Sequence, residues 1–228
     1  MSELTWLLDP ATGALVVEGL TAEGASALAG DLLPAAQELR CARPLAAPPL
    51  PAATGTGGLK LRVARLYHGS VVDGPGRRSV VQLQGCPIRC PGCYVPETHD
   101  PAAGVALGVA DVVAALLQPA GEPRDGITVL GGEPFFQPQG LAALLRALKR
   151  RGLHTVVYSG YTLEALARWE EPAVREALRR TDLLIDSPFV RSLAVGAGQW
   201  RGSRNQQLIL QPARALAAHD ACARSVHT

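Results

Sequence analysis

The sequence predicts an α/β fold, an open and partial barrel of parallel β/α units preceded by a small ββα module. From Leu59 onward, apolar runs of strand length alternate with amphipathic stretches of helix length, as in crossover β/α units around a parallel sheet. This region is shorter than the ~250 residues of a complete eight-fold barrel, so an open barrel is expected. A stretch rich in Pro, Ala and Gly at residues 42–62 separates it from residues 1–41.

The N-terminal module is predicted from two apolar segments and a helix. Leu4–Leu8 and Ala14–Val17 are short strands joined by residues 9–13, which have turn chemistry. Thr21 is a suitable cap for a helix that extends to about Arg40. We therefore expect residues 1–41 to form the module, residues 42–62 a linker and residues 63–228 the main domain.

The elements of the main domain follow from hydrophobic periodicity and from helix boundary signals. The expected strands are Ser79–Gln84, Ile127–Leu130, His154–Tyr158, Leu183–Asp186 and a final Leu208–Leu210. The expected helices are Val109–Gln118, Gln139–Arg151, Leu163–Trp169 and Ala173–Arg180.

Composition excludes several classes of function. The net charge of the 228 residues is +2 with scattered Lys and Arg, so neither nucleic acid nor an anionic membrane is expected as a partner. No apolar run approaches the ~20 residues of a membrane span, and the N-terminus lacks the pattern of a signal peptide, so a cytoplasmic protein is expected. The cysteines number five, and three of them fall within eight residues. Such a cluster indicates metal or redox chemistry.

The unusual motifs follow the strands. GCPIRCPGC begins where the first predicted strand ends, GGEP (131–134) follows the second, YSGY (158–161) follows the third, and Asp186 closes the fourth. The C-terminal strand ends of parallel α/β folds form the ligand-binding face, so the four motifs are expected to converge at one mouth.

The spacing Cys86-x3-Cys90-x2-Cys93 places three thiolates on one short loop. They can bind three irons of a cubane cluster and leave the fourth iron open for a substrate. A structural zinc site is the alternative, with His99 as the fourth ligand. Cys41 and Cys222 lie far away in sequence, and either is a conceivable fourth ligand.

The other motifs each have a plain structural interpretation. Glu133 is suited to accept a hydrogen bond from an ammonium group, or it is a solvated residue of a tight turn. Residues 73–78 form a turn that either walls the site or contacts a partner, and YSGY is otherwise a strand-end turn. Residues 200–206 carry more hydrogen-bonding groups than a surface loop needs.

Together these residues resemble the radical S-adenosylmethionine enzymes. The chain is most similar to the activating proteins of anaerobic (class III) ribonucleotide reductase and of pyruvate formate-lyase. The similarity covers about residues 65–211 and rests on DGPGRR, QGCPIRCPGCYVPET, GGEPF, YSGYT, IDSPFV and WRGSRNQ, which occur in the family's order.

The resemblance implies roles for individual residues. Cys86, Cys90 and Cys93 would ligate a [4Fe-4S] cluster, whose open iron would bind S-adenosylmethionine. The remaining cofactor-binding residues fall into three groups. Gly131, Gly132 and Glu133 would hold the methionine amino group; Ser159, Tyr161 and Asp186 would lie near the ribose or methionine moiety; Arg201, Ser203, Asn205 and Gln206 match the C-terminal signature. Two features depart from the family: Pro188 occupies a position where many activating enzymes have Lys, and the N-terminal module is additional.

The resemblance also implies the reaction. An external low-potential donor of the flavodoxin or ferredoxin type would reduce the cluster, and S-adenosylmethionine would be cleaved to a 5′-deoxyadenosyl radical. The hydrogen donor would be a glycine of a glycyl radical enzyme such as anaerobic ribonucleotide reductase. The alternatives are an independent radical enzyme that modifies a peptide or small metabolite, and a non-enzymatic module that binds zinc or an Fe–S cluster.

Overall fold

A computed structural model of the chain describes residues 5–8, 15–18 and 58–217. The chain divides into two units, residues 1–46 and 47–228. In the first unit, β1 (Thr5–Leu8) and β2 (Leu15–Glu18) form an antiparallel pair, with Thr5 opposite Glu18. The predicted helix from Thr21 and the predicted linker as far as residue 57 lie outside the described residues, as do Cys41 and Cys222.

The second unit is built on a seven-stranded sheet. Its strands are β3 (Lys60–Ser70), β4 (Arg78–Leu83), β5 (Val105–Gly108), β6 (Gly126–Gly131), β7 (His154–Tyr158), β8 (Leu183–Asp186) and β9 (Gln207–Leu210). Their order across the sheet is β5-β3-β4-β6-β7-β8-β9. The four central strands β4, β6, β7 and β8 are parallel, and the sheet does not close, which confirms the predicted open α/β architecture.

The outer strands were less predictable. β3 pairs antiparallel with β4 and with β5, and β9 pairs antiparallel with β8. β3 and β5 are not among the predicted strands, and the predicted linker includes Lys60–Arg62, although these residues begin β3. Only alternate positions of β3, such as Leu61 and Val63, are fully buried, so its apolar signal is interrupted by charged residues.

The helices cover one face of the sheet. They include α1 (Val109–Leu116), α2 (Pro138–Lys149), α3 (Leu163–Ala167) and α4 (Pro172–Arg179). Residues 212–217 are also helical. In α2, Leu141, Leu144, Leu145 and Leu148 recur at helical spacing and are fully buried in the main hydrophobic core. α2 ends before Gly152, whose φ of 71° reverses the chain toward β7. No helix among the described residues is long and apolar enough to cross a membrane.

The other face of the sheet carries no helix among the elements above. Val156, Leu183 and Ile185 form a separate small cluster on this face, with Tyr158 and Trp200 packed against it. Arg78, which is fully buried at the start of β4, donates hydrogen bonds to Thr128 Oγ1 and to backbone carbonyls. This face is therefore covered by loops rather than helices, which leaves room for a cavity at its C-terminal edge.

Candidate functional site

The predicted motifs meet at one cavity of about 510 Å³ at the C-terminal ends of the parallel strands. Nine of the predicted site residues line it: Cys86, Cys90, Cys93, Gly131, Gly132, Glu133, Ser159, Arg201 and Gln206. The wall also includes residues that the sequence analysis did not single out as ligand-binding, among them Tyr67, Asp73, Gln82, Ile88, Tyr94, Phe189 and Trp200.

The cysteine loop is closed at its base by its own backbone. Gly85 N donates to Thr98 O at 2.8 Å, and Cys86 N donates to His99 O at 3.1 Å. The buried side chain of Gln84 strengthens the closure, since its Nε2 donates to the carbonyls of Glu97 (2.9 Å) and Asp100 (2.8 Å). The loop that carries the three thiols is thus held at both ends, although its middle projects toward solvent.

The GGE segment is hydrogen bonded to the start of the cysteine loop. Gly132 N donates to Leu83 O at 2.7 Å, and Glu133 N donates to Gly85 O at 2.8 Å. A Cβ on Gly132 would lie 2.3 Å from Gly85 O, so only glycine permits this approach of the two backbones. The end of β6 therefore has a fixed position relative to Cys86.

Glu133 is the buried carboxylate of the cavity, with only 1% of its surface exposed. Its Oε1 accepts hydrogen bonds from Phe135 N (2.9 Å) and Ser159 Oγ (3.0 Å), and its Oε2 accepts one from Gly160 N (2.8 Å). Burial outweighs these bonds and raises the pKa of Glu133 to about 7. An amino group of a ligand at the unused lone pair of the carboxylate would favour the charged form.

The three thiols have the chemistry of cluster ligands. All three are free and partly exposed, and burial raises the pKa of Cys86 and of Cys93. Backbone N–H groups point at sulfur, since Val95 N lies 3.5 Å from Cys93 Sγ, as is common around ligating thiolates. Within residues 58–217 no three His, Cys, Asp or Glu side chains stand together in metal-ligating positions.

His99 also faces this cavity, and its buried Nε2 has no hydrogen-bond partner among the described groups. The geometry thus places the fourth ligand of the zinc alternative near the three thiols. The geometry of the cavity is compatible both with a zinc ion and with an iron–sulfur cluster on the same three cysteines.

The remaining predicted residues lie next to the cavity and bind backbone groups. Asp186, fully buried, accepts hydrogen bonds from Leu163 N at 2.7 Å and Ser187 Oγ at 3.1 Å. Its carboxylate therefore fixes the start of α3 beside the end of β8. The ring of Tyr161 makes an edge contact with Trp169, with centroids 4.8 Å apart.

The C-terminal signature holds the segment that follows β8. Ser203 Oγ accepts a hydrogen bond from Val190 N, Asn205 Nδ2 donates to Pro188 O, and Gln206 Nε2 donates to Ser187 O. These three hydrogen bonds account for the density of polar groups in residues 200–206 without a bound ligand. Arg201 Nε and Asn205 Oδ1 have no partner among the described groups.

Strained backbone is concentrated around the cavity. Arg89 (φ 50°), Ser187 (φ 82°) and Trp200 (φ 61°) have left-handed conformations, which residues other than glycine adopt at a cost. All three belong to loops that carry cavity residues. The surrounding hydrogen bonds therefore maintain loop conformations that the local sequence would not choose.

Comparison with known proteins identifies the family. The family model described as "4Fe-4S single cluster domain" matches residues 72–209. The anaerobic ribonucleoside-triphosphate reductase-activating protein of Salmonella typhi is 31% identical over 64% of this chain and 96% of its own length. The chain belongs to the 4Fe-4S single cluster family of radical S-adenosylmethionine activating proteins.

A second relative gives the same grouping. The pyruvate formate-lyase-activating enzyme of Clostridium pasteurianum is 34% identical over 54% of this chain and 50% of its own length. QueE from Escherichia coli superposes with a TM-score of 0.40 at 15% identity, over 56% of this chain and 70% of its own. Membership of the family confirms the predicted [4Fe-4S] cluster and S-adenosylmethionine as cofactors and argues against the zinc alternative.

Proposed function

We propose that this chain reductively cleaves S-adenosylmethionine on a [4Fe-4S] cluster and thereby activates a glycyl radical enzyme, such as anaerobic ribonucleotide reductase, by removing a hydrogen atom from a glycine. The observation that carries the proposal is the convergence of three thiols and a buried carboxylate on one cavity. Relatives named as activating proteins of anaerobic ribonucleoside-triphosphate reductase and pyruvate formate-lyase support the choice of partner.

The residues divide the work of binding. Cys86, Cys90 and Cys93 would hold the cluster, and Glu133 would accept a hydrogen bond from the methionine amino group. The bare backbone of Gly131 and Gly132 would let the ligand approach closely. When bound, the cluster supplies the electron that cleaves the S–C5′ bond of S-adenosylmethionine to give the 5′-deoxyadenosyl radical.

The protein's own contribution is orientation and exclusion of water. Glu133 is the buried acid of the cavity, and its hydrogen bonds to Gly160 N and Ser159 Oγ fix its direction. Tyr158 and Trp200 contribute apolar surface to the wall on the face without helices. A cavity of this kind suits a reaction whose difficult chemistry is supplied by cofactors rather than by a set of acids and bases.

Gln206, Ser203 and Asn205 are proposed to act through the 187–190 segment, since their side chains bind its backbone. Arg201 remains proposed as a direct contact to S-adenosylmethionine. Asp186 and the turn of Ser159 and Tyr161 are proposed to shape the ribose or methionine end. We also propose a cytoplasmic location, where thiols stay reduced.

The test is formation of a glycyl radical. The chain is reconstituted anaerobically with iron and sulfide, mixed with S-adenosylmethionine, a chemical reductant and a glycyl radical enzyme, and followed by electron paramagnetic resonance. We expect a glycine-centred radical on the partner and an equivalent amount of 5′-deoxyadenosine. Cleavage of S-adenosylmethionine with no radical on any glycyl radical partner would reject the activating role and favour another substrate.

A further inference from the structure

The cysteine loop and the segment that follows β8 are both positively charged. Residues 85–96 and 187–206 contain four arginines and no Asp or Glu. Three of these arginines are exposed: Arg89, Arg191 and Arg204. We call these three residues the basic face.

The charges of the basic face are not neutralised by neighbours. Within the described part of the chain, none of its three guanidinium groups makes a hydrogen bond or an ion pair. The nearest acid along the cysteine segment, Glu97, lies 3.5 Å from Arg65 and is therefore already paired. Uncompensated charge on exposed, flexible side chains contributes little to stability but creates a local field.

Two residues of the basic face, Arg89 and Arg191, lie on or against the cysteine loop. Arg89 lies between Cys86 and Cys90 in the chain. The stem of Arg191 lies over the same loop, because a Cβ built on Gly92 would be 2.7 Å from Arg191 Cδ.

An aromatic pair joins the two segments. The rings of Tyr94 and Phe189 are 4.7 Å apart between centroids, and Tyr94 is 71% exposed. The positive charges and this exposed ring therefore belong to one surface at the outer side of the cysteine loop.

We propose that the basic face is the docking surface of the electron donor, a small acidic protein of the flavodoxin type. The inference rests on the proposed function, since it requires the cluster on Cys86, Cys90 and Cys93. In the docked complex one electron leaves the reduced flavin of the donor and is taken up by the cluster, which passes from +2 to +1. No bond is made or broken, and no proton is exchanged.

Electrostatics explains why such a surface suits an electron donor. Redox partners form small, transient interfaces, and complementary charge raises their association rate without requiring a large buried area. A glycine that loses its hydrogen atom must enter the cavity, whereas an electron needs only a short path from the surface. Arg89 is next to Cys90 in sequence, so a donor docked there is close to the cluster.

The test compares two reductants of the reconstituted enzyme. The double variant Arg89→Glu/Arg191→Glu and the wild type are mixed in a stopped-flow instrument with reduced bacterial flavodoxin or with dithionite. The bleaching of the cluster absorbance gives the rate of cluster reduction. At low ionic strength we expect the second-order rate constant with flavodoxin to fall about tenfold or more, with a flatter salt dependence. At high ionic strength, where charge is screened, the rate with the small anion dithionite and the cleavage of S-adenosylmethionine driven by dithionite should stay within about twofold.

Arg150→Glu is the matched control. Arg150 is exposed, its side chain has no ion pair in the described residues, and it follows α2 at the opposite edge of the parallel strands. A single charge reversal there, half the change of net charge in the double variant, should leave the flavodoxin rate nearly unchanged.

Four results would overturn the proposal. The first three are an unchanged flavodoxin rate in the double variant, an equal loss in Arg150→Glu, and a parallel loss with dithionite at high ionic strength, which would assign the arginines to the cluster itself. Loss of glycyl radical formation with normal reduction by flavodoxin would assign the face to the hydrogen donor and also overturn it. Failure of the wild-type enzyme to cleave S-adenosylmethionine with dithionite is a separate readout, and it would reject the proposed function.

Discussion

Glu133 shows how a predicted site residue opposes stability. Among the described residues its buried carboxylate has hydrogen-bond donors but no cationic partner, and burial raises its pKa from an ordinary 4.5 to about 7. The charged form is thus disfavoured in the folded chain, and a bound amino group would relieve this cost. The buried carboxylate therefore favours the binding of a cationic ligand and does not favour the stability of the fold.

The pKa of Glu133 predicts how stability depends on pH. Because the folded pKa is raised, ionisation of Glu133 destabilises the fold as pH rises above 4.5, and the effect levels off above about pH 7. Between pH 5.5 and 8, the cluster-free protein should lose about 2 kcal/mol of unfolding free energy relative to Glu133→Gln. Urea denaturation at several pH values measures this difference, and parallel profiles for the two proteins would contradict it.

Gly132 predicts a sharp steric effect. In Gly132→Ala the new methyl group would lie 2.3 Å from Gly85 O, so the end of β6 must move away from the cysteine loop. We expect a loss of roughly 2 kcal/mol or more of stability and incomplete iron incorporation. Gly160→Ala is the control, because its methyl group meets the movable end of Ile88, and iron content and melting temperature should stay near wild type. Equal behaviour of the two variants would refute this account.

At the scale of elements, Gln84 closes the cysteine loop. Its side-chain amide spans from the end of β4 to the carbonyls of Glu97 and Asp100 and leaves both amide hydrogens bonded. A loop closed at its base needs less ordering when it binds a cluster. Gln84 is therefore expected to govern retention of the cluster, although it does not line the cavity.

Removal of the Gln84 amide should weaken the cluster site. In Gln84→Ala the two carbonyls lose a buried donor, which costs about 1–3 kcal/mol and loosens the loop. Under a chelator, we expect iron to leave several times faster than from the wild type, with the electronic spectrum of the intact cluster unchanged. Gln139→Ala, at an exposed position of α2, should match the wild type. Iron loss at the same rate in all three proteins would show that the closure is dispensable.

The elements that the sequence predicted well are those with a strong local signal. The buried run of β8 has the predicted bounds, Leu183–Asp186, and the leucines of α2 recur at helical spacing. β3 was missed because charged residues interrupt its buried apolar positions, and β5 was missed because this edge strand is short and partly exposed. Antiparallel pairing of β9 depends on the path of residues 187–206, which have no periodic signal.

The site was predictable where its residues are close together in the sequence. The three cysteines share one loop, and GGE follows one strand, so strand-end convergence was sufficient to bring them together. Gln84 gains its role from hydrogen bonds to residues 13 or more positions away in the chain. His99 is notable for a buried Nε2 without a hydrogen-bond partner among the described groups. Neither feature is visible in a linear motif. For the same reason, the sequence did not reveal that Asp186 and residues 203–206 mainly bind backbone groups.

At the scale of the whole molecule, the cavity belongs to the second unit. Its lining residues extend from Tyr67 to Gln206, within residues 47–228. The family match, residues 72–209, also leaves the first unit out. The N-terminal module is therefore expected to be dispensable for cofactor chemistry.

Deletion of residues 1–46 tests this expectation. We expect the shortened chain to incorporate the same amount of iron and to cleave S-adenosylmethionine at a rate within about twofold of the full chain, since no cavity residue is removed. A selective loss of hydrogen abstraction from one substrate would show that the module recognises that substrate. A loss of iron incorporation would contradict the division of roles.

The central claim is that Cys86, Cys90 and Cys93 hold a [4Fe-4S] cluster that cleaves S-adenosylmethionine. The most direct measurement is 5′-deoxyadenosine formed per chain, determined with metal content after anaerobic reconstitution of the wild type and of each single Cys→Ala variant. We expect about four irons per wild-type chain with product formed only when reductant is added, and no product from any of the three variants. One zinc per chain, no uptake of iron and no 5′-deoxyadenosine from the wild type would contradict the account.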